Sequence, residues 1–196
     1  MILEQNEILK VKIGGAMLDY TAPACQGAEI KNISLSDYAG KWYVLFFYPA
    51  NFTFVCPTEL EELAGVYSEF QKIGCEIISV STDTAYAHKA WSDTSPAIKK
   101  VKYPMLSDAN HKLSHFCNVL IEEEGLALRG TFIVDPDGIV KSMEVNDNSI
   151  GRSAKELLRK VKAAQFVREH GDQVCPASWE EGDATLTPGV ELIGKI

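Results

Sequence analysis

The stretch YPANFTFVCPTEL, residues 48–60, joins two contrasting patterns. The residues before it, Trp42–Phe47, are all apolar, which predicts a strand that is buried on both faces. Beyond it, Leu60, Leu63 and Tyr67 have the spacing of one face of a helix. A strand followed by a short loop and a helix is the first half of a β-α-β unit, and such units place their strands parallel with a right-handed crossover.

Cys56 lies at the predicted start of this helix, because Pro57 fits the first helical position, where a missing N–H costs nothing. The first N–H groups of a helix have no partner within the helix and favour an anion. A thiolate is such an anion, and a nearby cation stabilises it further. Cys56 is therefore a candidate reactive thiol, although most lone cysteines simply fill a gap in the packing.

Length and charge narrow the function classes. A chain of 196 residues can form one domain with a full core, and its net charge of −8 argues against nucleic acid or anionic membrane as a partner. The first twenty residues contain no continuous apolar block of the kind found in secretory signals. The longest apolar run, residues 42–50, is too short to cross a bilayer. We therefore expect a cytoplasmic protein.

Five cysteines are spread widely along the chain, and none forms a CxxC pair. This argues against a zinc ribbon or a thioredoxin-type dithiol. We expect Cys75 and Cys117 to be buried and inert, and assign no role to Cys25. His111 and His115 have the spacing of metal ligands on a helix, but two ligands fall short of a zinc site, so we expect no metal.

The rest of the chain alternates strands and helices. A strand over Glu76–Ser81 precedes a helix that Asp83 or Thr84 caps and that runs to about Thr94. The turn sequence Pro136-Asp137-Gly138 separates two apolar strands and predicts an antiparallel hairpin. Its strands are predicted over Thr131–Asp135 and Ile139–Glu144.

The last long helix opens with the capping-box sequence Ser153-x-x-Glu156 and stops at Gly171. The pattern predicts an α/β fold, with a mixed sheet flanked by helices on both faces, in the element order of the thioredoxin fold. We expect a thioredoxin-like domain over residues 1–171 and a C-terminal arm over residues 172–196. The arm carries apolar residues but has neither a helical nor an alternating pattern. It should therefore pack against another surface, and a neighbouring subunit is a natural candidate.

The motif Pro49-x-x-x-Thr53-x-x-Cys56 resembles the peroxidatic motif of the peroxiredoxins, and residues 52–59 are very similar to its form in typical 2-Cys members. Arg129 matches the arginine that approaches the reactive sulfur in that family, and Val174-Cys175-Pro176 resembles the resolving-cysteine segment. These signatures occur in the expected order. The resemblance runs from about residue 20 to residue 196, and residues 88–91 and 192–196 look like the bacterial alkyl hydroperoxide reductase C branch.

The resemblance implies a thiol-dependent peroxidase that reduces hydrogen peroxide and organic hydroperoxides to water and alcohols. Cys56 is then oxidised to a sulfenic acid, which condenses with Cys175 of the other subunit. Arg129 lowers the thiol pKa and binds the peroxide, Thr53 bonds sulfur and peroxide, and Pro49 shapes the pocket. On surface statistics alone Arg129 would be a solvated arginine.

By the same resemblance, Glu59 holds an arginine in place. Without the resemblance, Glu59 is simply an acidic residue in the first helical turn, where the helix dipole favours a negative charge.

The implied partners are a peroxide, a second copy of the chain and an external dithiol. The resemblance implies a homodimer, assembled as a ring of five dimers. The reductant is a flavoprotein disulfide reductase or a thioredoxin-type protein. The chemistry requires no metal, haem or flavin on this chain.

Two other functions remain open at this point. An oligomeric holdase chaperone needs exposed apolar surface on assembly, and a disulfide carrier without peroxidase activity normally uses a CxxC pair. The substitution Cys56→Ser separates the first from a peroxidase, because only the peroxidase loses its activity.

Overall fold

The computed structural model describes residues 10–195. Residues 1–9, at the start of the predicted domain, and Ile196, the last residue of the predicted arm, lie outside the described residues. The strands are β1 (Thr21–Gln26), β2 (Glu29–Ser34), β3 (Trp42–Phe47), β4 (Cys75–Ser81), β5 (Met105–Ser107), β6 (Leu120–Ile121), β7 (Leu126–Ala127), β8 (Arg129–Val134) and β9 (Val140–Asn146). The helices are α1 (Cys56–Lys72), α2 (Ala85–Thr94), α3 (Lys112–Phe116) and α4 (Ala154–Glu169), with 3-10 turns at Leu35–Tyr38, Ile98–Lys100 and Val190–Leu192.

A seven-stranded mixed sheet organises the first of two compact units, which ends at Arg152. The strand order is β2-β1-β5-β4-β3-β8-β9. β3 pairs parallel with β4 and antiparallel with β8, and every residue of β3 and β8 is buried. This is the central position that the apolar run of β3 predicts. α1 connects β3 to β4 and packs on the sheet, so these elements form the expected β-α-β unit.

The hairpin of β1 and β2 was not predicted from the sequence. β1 contains Pro23 and small residues, and β2 is mostly exposed, so neither strand shows a clear apolar alternation. On its other side β1 pairs with β5 through Ala24 and Cys25 alone. Pro23 therefore lies outside that ladder, where its missing N–H is tolerated.

The predicted hairpin is present as β8 and β9, which pair antiparallel around the turn at residues 136–138. α1 begins at Cys56, so Pro57 is its second residue rather than its first. Thr84 caps α2 by accepting the N–H of Ala87. These differences of one residue leave Cys56 at the helix N-terminus, as predicted.

The second compact unit runs from Ser153 onward and consists of α4 and the residues after it. Ser153 caps α4 by accepting the N–H of Glu156 (3.3 Å). After α4 the backbone folds back on itself, because Val174 and Leu186 exchange two hydrogen bonds of 2.8 and 3.1 Å. This unit groups α4 with the arm, whereas the boundary between residues 171 and 172 stays a prediction.

Within residues 10–195, no helix combines the length and the apolar character that crossing a bilayer requires.

His88 of α2 ties the loop before Cys56 to strand β5. Its Nε2 lies 3.3 Å from the carbonyl of Leu106, which can only accept, so this nitrogen carries the proton. Its Nδ1 then accepts from the side-chain amide of Asn51 (3.1 Å), whose oxygen accepts from the hydroxyl of Tyr48 (2.9 Å). The imidazole is neutral in this arrangement, and burial lowers the pKa of His88 to about 4.

This pKa predicts a loss of stability in acid. Unfolded chains bind the proton below about pH 6.5 but the folded protein does so only near pH 4, so stability falls as pH drops between these values. The full contribution is about 3 kcal/mol. Urea unfolding at pH 7 and pH 4.5 should show a smaller pH effect in His88→Gln than in the wild type. An exposed control, His170→Gln, should lose as much stability between pH 7 and pH 4.5 as the wild type. The same loss of unfolding free energy in all three proteins would contradict the role of His88.

Candidate active site

Cys56 and Arg129 meet where β3 ends and β8 begins. The antiparallel register pairs Phe46 of β3 with Thr131 of β8, so the start of β8 lies beside the loop that leads to Cys56. There the guanidinium Nη1 of Arg129 lies 3.5 Å from the sulfur of Cys56. Cys56 is 0% exposed and Arg129 is also buried. The contact thus brings together two residues that are 73 positions apart in the sequence.

Glu59 lies one turn after Cys56, and its carboxylate is buried between two arginines. It accepts from Nη1 of Arg129 at 2.6 Å. It also accepts three hydrogen bonds from Arg152: from the backbone N–H (2.9 Å), from Nε (2.9 Å) and from Nη2 (3.0 Å). Glu59 therefore fixes two guanidinium groups at once.

Arg152 is the residue that sequence reasoning missed. Its Nη1 donates to the carbonyl of Gly130 (2.9 Å) and to the hydroxyl of Thr131 (3.0 Å), and its guanidinium lies 3.4 Å from the centre of the Phe46 ring. Burial lowers the pKa of Arg152 from its ordinary value, while the hydrogen bonds to Glu59 oppose that shift. One signal was available: an arginine just before a helix N-terminus is unfavourable for the helix dipole, which indicates that another group holds it.

The orientation of Arg129 is fixed by backbone as well as by Glu59. Its Nε and Nη2 both donate to the carbonyl of Asn148, at 3.0 and 2.8 Å. With that edge of the planar group occupied, Nη1 faces Glu59 and the sulfur of Cys56. The guanidinium is therefore held in one orientation toward the thiol.

Thr53 and Pro49 lie in the loop between β3 and α1. The hydroxyl of Thr53 donates to the carbonyl of Ala50 at 2.9 Å, so its oxygen lone pairs are available as acceptors. Pro49 is buried directly after Tyr48. The structure thus brings Cys56, Arg129 and Glu59 into direct contact, while Thr53 is bonded within its own loop.

The remaining thiols of the first unit are buried. Burial raises the pKa of Cys75 and of Cys117 well above the ordinary value, and it also raises the pKa of Cys25. The thiol form is therefore favoured at all three positions. This agrees with the expectation that Cys75 and Cys117 are buried.

Cys175 belongs to the second unit and is partly exposed. Its sulfur lies 3.9 Å from the carbonyl of Ala163 on α4. Burial raises the pKa of Cys175, and the positive charge of Arg159 opposes that shift.

Among residues 10–195, no group of three or more histidine, cysteine, aspartate or glutamate side chains could hold a metal ion. The neighbours of His115 include the ammonium group of Lys10, 3.3 Å from its ring nitrogens, and the carboxylate of Glu122 at 3.5 Å. A lysine so close to the ring is unfavourable for a metal at the His111–His115 pair.

Comparison with known proteins identifies the family. The AhpC/TSA family matches residues 13–143, and the C-terminal domain of 1-Cys peroxiredoxin matches residues 163–192. The chain belongs to the AhpC/TSA family. The segment of the chain that matches the C-terminal domain of 1-Cys peroxiredoxin contains Cys175.

Individual relatives and solved structures support the same family. The chain is 52% identical to alkyl hydroperoxide reductase C of Staphylococcus saprophyticus over 186 residues, which covers 94% of this chain and 98% of the relative. It is 50% identical to that of Bacillus subtilis over 184 residues, with the same coverage. The crystal structure of Enterococcus faecalis AhpC matches with a TM-score of 0.82 and 50% identity, over 84% of this chain and 98% of that one. The reduced 2-Cys peroxiredoxin of Plasmodium vivax matches with a TM-score of 0.87 and 35% identity, over 91% and 94%.

These likenesses confirm the predicted fold class, a thioredoxin-like fold with a mixed sheet flanked by helices. They also confirm that this family member is an enzyme, a thiol-dependent peroxidase. They do not favour the holdase chaperone or the disulfide carrier.

The buried ion cluster predicts a large effect of one neutralising substitution. Glu59→Gln removes the only buried carboxylate that Arg129 and Arg152 share among the described residues, and should destabilise the protein by about 3 kcal/mol. Glu61→Gln, on the same helix, removes an exposed ion pair with Lys100 and should cost less than about 1 kcal/mol. Chemical denaturation of both variants checks this, and similar losses in the two would refute the central role of Glu59.

Proposed function

We propose that the chain reduces hydrogen peroxide and organic hydroperoxides, with the thiolate of Cys56 as the attacking group. The observation that carries this proposal is the contact of Arg129 with the sulfur of Cys56 inside the buried cluster around Glu59. The buried charges are two guanidinium groups and one carboxylate, which sum to +1. This net positive charge lies against the sulfur of Cys56, where it can stabilise the negative charge that develops in the reaction.

The first step is attack of the Cys56 thiolate on the terminal oxygen of the peroxide. The S–O bond forms as the O–O bond breaks, and the leaving oxygen takes a proton and departs as water or an alcohol. Arg129 stabilises the charge on that oxygen through donors that Glu59 and Asn148 already orient. Thr53, whose proton is donated to Ala50, accepts a hydrogen bond from the peroxide.

Two residues support the reacting groups in this proposal. Pro49, which is buried and has no N–H, shapes the site and excludes water. Arg152 does not contact the sulfur in the described hydrogen bonds; it is a positioning residue that anchors Glu59 to the backbone of β8.

The second step joins Cys56 to Cys175 of another subunit. The thiolate of Cys175 attacks the sulfenic sulfur, so that an S–S bond forms as the S–O bond breaks, and the leaving hydroxide takes the proton that the Cys175 thiol had lost and departs as water. Because the side chain of Cys56 is fully buried, the first turn of α1 has to open before the two sulfurs meet. The side chain of Val55, the residue before the helix, provides no capping hydrogen bond, which favours such an opening.

Assembly follows from surfaces of the first unit. β9 is an edge of the sheet, with its Met143 and Val145 side chains exposed, and an antiparallel β9 of a second copy would extend the sheet. Phe52 and Phe54 (92% exposed) present aromatic surface in the loop before Cys56, which supports association of dimers, while a ring of five dimers is what the resemblance to the family implies. A sedimentation mass of a single chain at micromolar concentration would sink both assignments.

An external dithiol then reduces the disulfide, and either a flavoprotein disulfide reductase or a thioredoxin-type protein has the required chemistry. The relatives carry the name alkyl hydroperoxide reductase C, which supports hydroperoxides as substrates here. We assign the enzyme to the cytoplasm, where its five free thiols stay reduced.

We also propose that residues 1–171 of this chain form the peroxidase domain and that residues 172–196 form the arm that carries Cys175. Proteolysis that severed the arm and left the peroxide step intact would support this division.

The pairing of the two cysteines is tested on non-reducing gels after one equivalent of hydrogen peroxide. The wild type should run as a disulfide-linked dimer. Cys175→Ser should consume the first equivalent of peroxide but remain a monomer on the gel, because its sulfenic acid has no partner. Cys56→Ser should do neither. A linked dimer that persists in Cys175→Ser would refute the pairing.

The role of Arg129 is tested by removing its charge. Arg129→Met should slow the oxidation of Cys56 by about a hundredfold or more, the loss typical of removing one donor at a developing charge. Lys100→Met removes an exposed cation that pairs with Glu61 and should leave the rate unchanged. Stopped-flow measurement of the first peroxide equivalent gives both rates; a rate within threefold of the wild type in Arg129→Met would contradict the proposal.

A further inference from the structure

The residues around Cys175 are held to α4 by a small set of contacts within the second unit. Arg159 forms two parallel hydrogen bonds with the carboxylate of Glu156, at 2.7 and 2.8 Å. Its remaining terminal nitrogen, Nη1, donates to the backbone carbonyl of Trp179 at 2.8 Å. Arg159 therefore links the helix to the backbone of the arm, four residues after Cys175.

The same face of α4 also contacts Cys175. Ala163, whose carbonyl lies 3.9 Å from the sulfur of Cys175, is one turn after Arg159. Trp179 is 3% exposed, its ring centre lies 5.0 Å from that of Phe166, and its indole N–H donates to Asp183 at 3.2 Å. The arm is thus docked on one stripe of α4 that runs through Arg159, Ala163 and Phe166.

We propose that Arg159 is a positioning residue for the second step of the reaction: it holds the Cys175 segment on α4, and this bond must break before Cys175 reaches a sulfenic acid on another subunit. The inference deepens the proposed function and rests on its assignment of Cys175 as the resolving thiol.

Arg159 is better suited to this role than the other contacts of the arm. The ion pair of Lys162 with Glu181 is exposed, at 31% and 72% of the side-chain surfaces, and exposed pairs contribute little. The packing of Trp179 on Phe166 is not directional. The fork of Arg159, in contrast, is oriented by Glu156, and it bonds a main-chain carbonyl whatever side chain the arm carries there.

The strength of this bond sets a competition between two reactions of the sulfenic acid. Attack by the Cys175 thiolate forms the disulfide and releases water. Attack by the sulfenate on a second peroxide adds another oxygen to its sulfur, gives a sulfinic acid and releases water or an alcohol. A looser arm favours the first reaction, so weakening the Arg159 bond should speed disulfide formation and reduce over-oxidation.

The docking itself is tested without any peroxide chemistry. In a Cys56→Ser background, hydrogen exchange of the amides in residues 174–186 should be about three- to tenfold faster in Arg159→Met, the factor expected for one lost hydrogen bond to a charged group that is partly exposed. Lys162→Met is the matched control on the same helix and should change exchange less than twofold. Arg159→Lys keeps the charge without the fork and should fall between them. If exchange in Arg159→Met equals that in Lys162→Met, Arg159 does not hold the Cys175 segment on α4, and this outcome is independent of the proposed function.

The consequence for catalysis is tested with Cys56 intact. Arg159→Met should form the disulfide three- to tenfold faster after peroxide and yield less sulfinic acid by mass spectrometry, with an unchanged rate of the first oxidation. If Arg159→Met unfolds, Arg159→Lys carries the same test with a smaller factor. Slowing of both steps together would show a merely structural role and overturn the proposal. Faster exchange with an unchanged rate of disulfide formation would overturn its kinetic part.

Discussion

The buried carboxylate of Glu59, shared by two guanidinium groups, is the interaction on which the site depends. Moving each of these charges out of water costs several kcal/mol, so none of them is stable there alone. The four hydrogen bonds that Glu59 accepts offset that cost and also set directions. Arg129 is held against the sulfur of Cys56, and Arg152 is held against the carbonyl of Gly130. The guanidinium groups are therefore oriented before any substrate arrives, as the proposed stabilisation of a departing oxygen requires.

The fold supplies this arrangement from three separate segments: the first turn of α1, the start of β8 and the loop that precedes α4. The sheet fixes the register of β8 against β3, and backbone carbonyls of residues 130 and 148 accept the arginine N–H groups that Glu59 leaves free. Each guanidinium group is thus held by a backbone carbonyl as well as by Glu59. The sulfur is attached differently. Cys56 is the first residue of a helix whose preceding residue has no capping side chain, which agrees with the helix opening proposed for the second step.

Sequence patterns predicted the elements that have strong periodicity and missed what depends on distant partners. The continuous apolar run of β3 and the turn between β8 and β9 are local signals, and both elements form where they were expected. The β1–β2 hairpin escaped because Pro23 and small residues weaken its pattern. Arg129 was found only through resemblance, since nothing within its own strand shows that a sulfur 73 residues earlier will be its neighbour. Arg152 was missed for the same reason, as its carboxylate partner lies 93 residues away.

The two thiols of the proposed reaction have opposite surroundings, and that difference agrees with the proposed order of the steps. Cys56 has no exposed surface and lies beside a buried positive charge, so a second protein thiol cannot reach its sulfur in this conformation. Cys175 is partly exposed on a segment with few docking bonds, and burial disfavours its thiolate while Arg159 opposes that effect. A thiol in that state is a poor competitor for peroxide but can be released to meet a sulfenic acid. Each thiol is thus suited to one step, and the chain needs no second catalytic centre to keep the two steps in sequence.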